Sequence, residues 1–318
     1  KPIAHSTSEL ASRCGRGDAV EVCTGARSLS GIEWRRYQRH GARMSLGSVP
    51  GSHEPSARQP LAFPPVTGEP FSKLSIFFPM WNEEAYIERA VGYAKEECEL
   101  LVAKGEILDY ELIVVDDASS DRTPAMADAL AAADPHVKVV HHPVNRKLGG
   151  SMKTGFAAAT GDLVLYSDAD LPFDMAEVGR AVRLLRYYEA DVVSAFRHDR
   201  TGEGASRAIY TFFYNFLIRR LFGVRMRDIN FAFKLCRRRI FDHITLQSEG
   251  SFIDAELIIS AKKLGFDVIQ FGVDYFPRTR GESTLASLSV IKTIVREMLA
   301  LRKQLRKLRP VAGPAAST

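Results

Sequence analysis

The amino-acid sequence predicts an α/β fold in which a mostly parallel sheet carries helices on both faces. From Lys73 onward, short apolar runs that suit buried strands are separated by helical stretches, and the two alternate at short spacing. The chain has 318 residues, 46% of them hydrophobic, which is enough for the core of one large or two small domains. Residues 1–72 are instead rich in Ser, Gly, Arg and Pro, and they predict a disordered extension.

Nine elements are predicted in order after that extension. The first three are the strand LSIFFPM, the amphipathic helix EEAYIERAVGYAKEECELLVAKG, which Gly105 closes, and the strand YELIVVDDAS. The helix DRTPAMADALAAA, the strand VKVVHHP, the helix GGSMKTGFAAAT and the strand DLVLYSDAD follow. The helix MAEVGRAVRLLRYYEA and the strand DVVSAF complete the series. Ligands of such sheets bind beyond the carboxyl ends of the strands, so a site is expected there.

One predicted strand, in the run VLYSDADLPF (residues 164–173), ends in two aspartates. Side chains alternate along a strand, so Asp168 and Asp170 point the same way and Ala169 points the other. Two carboxylates that converge repel each other unless a cation lies between them, which indicates a divalent metal. A pair of turn aspartates is the alternative interpretation of an isolated pair of this kind.

Three other strand ends bring polar groups to the same edge. They are PMWNEE (residues 79–84), the pair Asp116 and Asp117, and SAFR, which ends in Arg197. An aspartate near an aromatic ring can accept a hydrogen bond from a nucleobase, and a metal with Arg197 can neutralise a diphosphate. Each residue also has an ordinary interpretation, such as a helix cap for Asp117 or a surface cation for Arg197.

Two nucleotide-binding classes are excluded by their missing motifs. A dinucleotide-dependent dehydrogenase needs G-x-G-x-x-G after the first strand, where this chain has FPMWNEE. A P-loop nucleotidase needs a glycine-rich loop that ends in Gly-Lys-Ser/Thr, and KLGGSMKTG does not supply it.

The ordered motifs resemble those of the inverting family 2 glycosyltransferases, and within them the dolichol-phosphate mannose and dolichyl-phosphate glucose synthases. PMWNEE matches the family's P-x-Y-N-E, with Trp81 in the aromatic place, and VVDDASSDRT matches V-D-D-G-S-x-D-x-T, with Ala118 for the glycine. DADLP matches D-A-D, SAFR matches G-S-R, and RTRGEST matches R-x-x-G-E-S-K, with Thr284 for the lysine. The resemblance extends from Leu74 to Leu285.

This resemblance implies a GT-A fold that binds a UDP- or GDP-linked sugar with Mg²⁺ or Mn²⁺. It assigns the metal to Asp168 and Asp170, with Asp170 as the direct ligand, and it places Ala169 beside them at the ribose and the diphosphate. Arg197 and Arg278 are expected to bind phosphates, and Arg280 or Lys234 to replace the lysine missing at Thr284. The nucleoside contacts that it implies are Pro79, Trp81, Glu83, Val115 and Asp117.

The sequence says less about the acceptor than about the donor. SFIDAEL resembles the F-D-x-E-L of the dolichyl-phosphate glucose enzymes, which places Asp254 and Glu256 near the sugar, although acidic residues are also ordinary at a helix start. Arg207 is a candidate for the acceptor phosphate. A polyprenyl phosphate is already ionised and needs no base, whereas a sugar hydroxyl would use Asp254 as general base. A nucleotide-sugar-binding protein without catalysis is the third hypothesis.

A lipid acceptor implies contact with a membrane surface. No segment reaches the length of an apolar span, so peripheral association at the cytoplasmic face is expected. One candidate surface is the aromatic segment 210–222 with Arg219 and Arg220, for which core packing is the alternative. The other is the helix SVIKTIVREMLALRKQLRKLRP, for which packing on the domain or on a second subunit is the alternative. Its apolar and basic residues are Ile291, Ile294, Val295, Met298, Leu301, Leu305 and Leu308, and Lys292, Arg296, Lys303, Arg306 and Lys307.

The predicted organisation is therefore one catalytic domain with flanking segments. Residues 73–285 form the domain, 286–309 a basic amphipathic helix and 310–318 a tail. The four cysteines show neither metal-ligand spacing nor a disulfide-dense pattern, which fits a reducing compartment. No nucleic-acid partner is expected, because the basic C-terminus is the sole feature of that kind. The oligomeric state stays open.

Overall fold

Seven strands form one sheet in the computed structural model, which describes residues 68–198, 205–276 and 288–311. Its side chains are described for residues 68–198, 212–276 and 292–311. All described residues belong to one compact unit. The strands are β1 (Phe71–Met80), β2 (Ile107–Asp116), β3 (Val137–His141), β4 (Leu163–Ser167), β5 (Val192–Arg197), β6 (Phe233–Arg237) and β7 (Val268–Val273).

The strands are arranged in the order β3, β2, β1, β4, β6, β5, β7. Six of them are mutually parallel, and β6 runs antiparallel between β4 and β5. The described helices are α1 (Ile87–Ala103), α2 (Thr123–Ala133), α3 (Lys147–Ala158), α4 (Ala176–Tyr187), α5 (Ala205–Phe222), α6 (Ile253–Leu264) and α7 (Leu288–Lys307), with a short 3₁₀ helix at Arg238–Asp242.

The nine predicted elements are confirmed, with shifts at their ends. The helix predicted from Glu83 begins at Ile87, because residues 83–86 form a turn in which Tyr86 N–H donates to the Glu83 carbonyl. Strands β6 and β7 were not predicted from the sequence. Strand β6 (FKLCR) carries a fully buried lysine at its second position, which interrupts the apolar run that marks a buried strand.

Apolar side chains cover both faces of the sheet, as its predicted class requires. Along β1, Ile76 and Phe78 join the core on the side of α1 and α4, whereas Phe77 joins the core on the side of α3, α5, α6 and α7. Successive residues of one strand thus supply two separate cores. This two-sided burial leaves the carboxyl edge of the sheet as the place where polar side chains collect.

The apolar stripe of α7 packs into the protein core. Ile294, Met298 and Leu305 are buried, and α7 contacts α5 and α6. The prediction that this stripe lies on a bilayer is therefore wrong for Ile294, Met298 and Leu305, and for these residues the alternative of packing on the domain is confirmed. The side chain of Ile291 lies outside the described residues. Basic side chains of the helix, including Arg296 and Lys303, remain exposed.

A helix that crosses a bilayer needs about 20 mostly apolar residues. Within the described ranges, no helix is both long enough and apolar enough to do so.

Helix α3 approaches β1 closely because it carries a glycine at the contact. A Cβ atom added at Gly155 would lie 2.1 Å from the ring of Phe77, which is fully buried. Phe77 is also held by the ring of Phe156, with centroids 4.8 Å apart, so it has little room to move.

We expect Gly155→Ala to destabilise the protein by about 2 kcal/mol, because overpacking at Phe77 outweighs the gain in helix propensity. Gly92→Ala is the matched control, since a Cβ at Gly92 in α1 meets no atom within 4 Å. That variant should gain about 0.5–1 kcal/mol. Urea denaturation measures both changes, and equal free energies of unfolding for the two variants would contradict the packing argument.

Candidate active site

Parallel register brings the predicted strand ends to one edge. Met80 at the end of β1 pairs with Asp116 at the end of β2, and the Asp117 N–H donates to the Met80 carbonyl at 2.8 Å. Phe77 pairs with Tyr166, so the aspartates that follow β4 reach the same edge. The structure thus brings together the polar groups that the sequence placed at separate strand ends.

Left-handed backbone marks the turns that follow these strands. Asn82, Ala118 and Leu171, all non-glycine residues, have φ angles of 57°, 58° and 52°. Such angles cost about 1–2 kcal/mol each and persist where the surrounding structure enforces them, often at functional sites. Ala118 takes the place of a family glycine, and its positive φ explains why a glycine suits that position.

Asp117 is buried and holds a loop against the end of β2. Its Oδ1 accepts hydrogen bonds from His142 Nδ1 at 2.7 Å and from the Arg146 backbone N–H at 2.7 Å. Its carbonyl oxygen accepts a third from Asn145 Nδ2 at 3.1 Å. His142 contacts Thr154 Oγ1 of α3 through Nε2 at 2.8 Å, so the loop is fixed at both ends.

The other residues assigned to the nucleoside differ in accessibility. Trp81 is 50% exposed directly after β1, where its ring can stack on a base, and Pro79 is half-buried in the strand. Glu83 donates its backbone N–H to Thr123 Oγ1 at 2.9 Å. Val115 is fully buried in the core, so its side chain cannot reach a ligand.

The D-A-D motif follows β4, which ends at Ser167, so Ala169 and Asp170 lie in a turn and not in the extended strand that the sequence predicts. Ala169 is buried, whereas Asp168 and Asp170 are half-buried. Asp168 Oδ1 accepts a hydrogen bond from the Tyr166 hydroxyl at 2.8 Å. Burial, followed by the charges of Asp168, Asp254 and Asp170, raises the pKa of Tyr166 well above its ordinary value, so Tyr166 stays a hydrogen-bond donor.

A buried ion pair lies beside the motif. Lys234 of β6 is opposite Tyr166 and fully buried, and its Nζ is 3.0 Å from Oδ1 of Asp254 at the start of α6. The ammonium also donates to the Phe231 carbonyl. Burial raises the pKa of Asp254, and the charge of Lys234 opposes that rise. Asp254 is thus held in place by a cation.

Arg197 is bound to a second carboxylate. Its Nε and Nη2 donate to the two oxygens of Asp228 at 2.6 and 2.8 Å, and its guanidinium lies over the rings of Phe231 and Tyr275. A bidentate pair between aromatic rings fixes an arginine firmly. Arg197 therefore positions the segment before β6, and its contact with phosphate stays a prediction.

The loop before Asp254 is tied down by two glutamates. Glu256 accepts the backbone N–H groups of Gln247 and Ser248 at 2.9 and 2.8 Å. Glu297 of α7 accepts from Ser248 Oγ at 2.7 Å and from Gly250 N–H at 2.9 Å. Helix α7 thus supports the start of α6, where Asp254 lies. Glu256, which the resemblance places near the sugar, serves the loop.

The donor set at the D-A-D motif suits a hard divalent cation. Among the described residues, no group of three or more His, Cys, Asp or Glu side chains gathers as a complete metal site. Mg²⁺ is typically bound by one or two carboxylates together with substrate phosphates, and Asp168 and Asp170 fit that pattern. The chain's own oxygen ligands therefore fit a metal that arrives with a diphosphate.

Several predicted phosphate contacts lie outside the described side chains. They are Arg207, Arg278 and Arg280, and position 284, where the family's lysine is missing, also lies outside the described residues. Arg207 belongs to α5, whose backbone is described at that position.

Sequence reasoning missed the roles of His142, Asp228 and Tyr166. His142 pairs with Asp117 only through the register of β3 on β2, in which Asp116 is opposite His141. A histidine pair in VKVVHHP directly after a predicted strand was the available signal. Lys234 was named as a replacement for a missing lysine, but its pairing with Asp254 was not predicted.

Comparison with known proteins identifies relatives of this chain. Residues 75–245 match the family model described as glycosyl transferase family 2. The glycosyltransferase AglD of Haloferax volcanii is 31% identical over 229 residues, which are 70% of this chain and 36% of that protein. An undecaprenyl-phosphate 4-deoxy-4-formamido-L-arabinose transferase of Sodalis glossinidius is 31% identical over 225 residues, 69% of this chain and 64% of that protein. The chain thus spans about a third of the first relative and under two thirds of the second.

Solved structures share the fold. Glucosyl-3-phosphoglycerate synthase from Mycobacterium tuberculosis, in complex with Mn²⁺, UDP-glucose and phosphoglyceric acid, gives a TM-score of 0.54 at 23% identity and covers 76% of this chain and 82% of its own. The mannosyltransferase PcManGT from Pyrobaculum calidifontis, in complex with GDP-Man and Mn²⁺, gives a TM-score of 0.54 at 19% identity. The match covers 80% of this chain and 70% of that chain. The predicted GT-A fold class is confirmed.

We expect Lys234→Met to destabilise the protein by about 3–5 kcal/mol, because it leaves the buried Asp254 carboxylate without its cation. The double variant Lys234→Met/Asp254→Leu removes both charges and should recover most of that loss. The free energies of unfolding of the wild type, the single variants and the double variant test this. Losses that simply add in the double variant would contradict the pairing.

Proposed function

This chain belongs to glycosyl transferase family 2, and from that premise we propose that it transfers a hexose from a nucleotide sugar to a polyprenyl phosphate. The family membership makes it a glycosyltransferase, and the transferase from Sodalis glossinidius carries undecaprenyl phosphate in its name. We place the reaction at the cytoplasmic face of a membrane. Cys98 and Cys236, both free and buried, fit a reducing compartment.

The donor half of the proposal rests mainly on one observation: Asp117 and the D-A-D motif share the carboxyl edge of the sheet. Trp81 and Asp117 offer a stacking surface and a hydrogen-bond acceptor for a base. Asp168 and Asp170 follow β4, the strand next to the one that Trp81 follows. They would hold Mg²⁺ or Mn²⁺ against the diphosphate. We therefore place the base at one end of this edge and the sugar at the other, beside Asp254.

The proposed reaction is a single in-line displacement with inversion. An oxygen of the acceptor phosphate forms a bond to the anomeric carbon while the bond from that carbon to the diphosphate oxygen breaks. The nucleoside diphosphate leaves with the electron pair of the broken bond, and no proton has to move. The chain's task is thus to orient the two substrates and to stabilise the charge of the leaving group.

The bound metal would supply positive charge next to the leaving diphosphate. Asp168 and Asp170 would hold it, and the hydrogen bond from Tyr166 keeps Asp168 in position. Asp254 and Lys234 act as one unit in this proposal. Their pairing would position both side chains at the sugar and keep an ammonium group near the reacting centre.

The acceptor half rests on an exposed aromatic face of α5. Phe212, Phe213 and Phe216 are 68%, 62% and 56% exposed, whereas Tyr214, Ile218 and Phe222 on the opposite side of the helix are buried. Helical spacing continues the exposed face into Arg219 and Arg220. Aromatic rings followed by cations suit the interface of an anionic membrane.

We expect the wild type to transfer labelled sugar from a nucleotide sugar into an organic-extractable product in the presence of undecaprenyl or dolichyl phosphate. Chelation of the metal should abolish the transfer, and Asp170→Asn should lower its rate about 100-fold or more, because a carboxylate that holds positive charge at the leaving group is lost. Asp242→Asn is the matched control, since Asp242 is exposed beyond the opposite edge of the sheet.

Two outcomes would count against this proposal. Equal losses in Asp170→Asn and Asp242→Asn would remove the special role of the D-A-D motif. Hydrolysis of the donor without lipid product, for every sugar tested, would exclude the lipid acceptor and favour a sugar hydroxyl.

We expect the triple variant Phe212→Ser/Phe213→Ser/Phe216→Ser to bind anionic vesicles at least about tenfold more weakly, because three exposed rings no longer enter the interface. Tyr187→Ser/Tyr188→Ser is the control, since these rings at the end of α4 are as exposed, at 64% and 59%. Vesicle co-sedimentation measures both. A weaker binding of the control than of the triple variant would contradict the assignment of the membrane face.

A further inference from the structure

We infer that His142 makes this site select uridine donors over guanosine donors, by occupying one oxygen of Asp117. This inference rests on the proposed function and names the substrate class of that site. The related folds do not decide the base, because one was solved with UDP-glucose and the other with GDP-Man. The hydrogen bonds around Asp117 carry the argument.

Oδ1 of Asp117 can accept no further hydrogen bond. A carboxylate oxygen offers two lone-pair sites, and those of Oδ1 receive His142 Nδ1 and the Arg146 N–H, each at 2.7 Å. Both donors are fixed, one on a buried ring and the other on the backbone. Within the part of the chain that the structure describes, Oδ2 accepts no hydrogen bond and is left for a ligand.

Uracil and guanine differ in the number of donors that they present to a carboxylate. The uracil edge that faces a carboxylate presents one donor, N3–H, which a single oxygen satisfies. The guanine edge presents two adjacent donors, N1–H and N2–H, which need both oxygens of a carboxylate. A guanine at Asp117 would leave one buried donor without an acceptor, and an unsatisfied buried donor is costly. Cytosine presents an acceptor at N3, where uracil presents its donor, and only its N4 amino group can donate to Oδ2.

The His142 side chain cannot rotate away from Asp117. Its side chain is 5% exposed, it follows β3 directly, and Thr154 Oγ1 of α3 contacts its Nε2 at 2.8 Å. A carboxylate only accepts hydrogen bonds, so Nδ1 carries the proton that faces Asp117. In the neutral ring, the Thr154 hydroxyl donates to Nε2. His142 is thus a positioning residue that acts on the base through Asp117.

The neighbouring histidine provides a control with the same chemistry. His141 Nδ1 contacts Asp116 Oδ2 at 2.8 Å, and its Nε2 contacts Asp128 Oδ1 at 3.0 Å. These two hydrogen bonds raise the pKa of His141, and they tie β3 to β2 and α2 rather than to the base site. A change at His141 should therefore affect stability without affecting the choice of base.

The test is equilibrium binding of UDP and of GDP to the full chain with Mn²⁺. The wild type should bind UDP about tenfold or more tightly than GDP. His142→Leu, which frees one acceptor site on Oδ1, should lower this ratio several-fold, whereas His142→Asn, which keeps an N–H near the position of Nδ1, and His141→Leu should preserve it.

The outcomes separate the two proposals. Binding of GDP as tight as that of UDP to the wild type overturns the inference and leaves the proposed function standing, whatever the variants do. An unchanged ratio in folded His142→Leu overturns the role of His142. Binding of neither nucleotide overturns the inference and the proposed function together.

Discussion

The ion pair between Lys234 and Asp254 is the interaction on which the arrangement of this edge depends. A sheet of parallel strands collects polar residues at its carboxyl edge, and here Asp168, Asp170, Asp228 and Asp254 gather within a few strands of one another. Carboxylates at such density repel each other and resist burial. Strand β6, inserted antiparallel between β4 and β5, delivers Lys234 to the interior of this group, 3.0 Å from Asp254. Arg197 compensates Asp228 in the same way.

Pairing of this kind positions several side chains of the candidate site. Asp254 is held by Lys234, Asp168 by Tyr166, and Asp117 by His142 and the loop that follows it. Groups fixed in advance need no reorganisation when charge develops on a leaving diphosphate, which is how such sites lower a barrier. The left-handed backbone at Ala118 and Leu171 directly follows Asp117 and Asp170, in the turns after β2 and β4.

Local sequence patterns predicted most strands and helices, whereas the side-chain partners at the site depend on pairing between distant parts of the chain. The aspartates at the ends of β2 and β4 were predictable because apolar runs mark the strands and the carboxyl-edge rule depends only on where those runs end. The partner of Asp117 was not, because His142 reaches it through the register of another strand. Strand β6 was not predicted, because the charge of Lys234 gives its sequence the pattern of a surface segment. The apolar stripe of α7 correctly indicated a buried face, but periodicity cannot say whether protein or lipid covers it.

A crystal structure of the chain with UDP and Mn²⁺ would test the proposed site directly. We expect the base to lie against Trp81 with one hydrogen bond to Oδ2 of Asp117, and the metal to lie between the diphosphate and Asp170. A nucleotide bound away from this edge would contradict the proposed site. The cavity of about 310 Å³ at the ends of α5 and α6, lined in part by Arg225, Lys262 and Lys263, is one such alternative position.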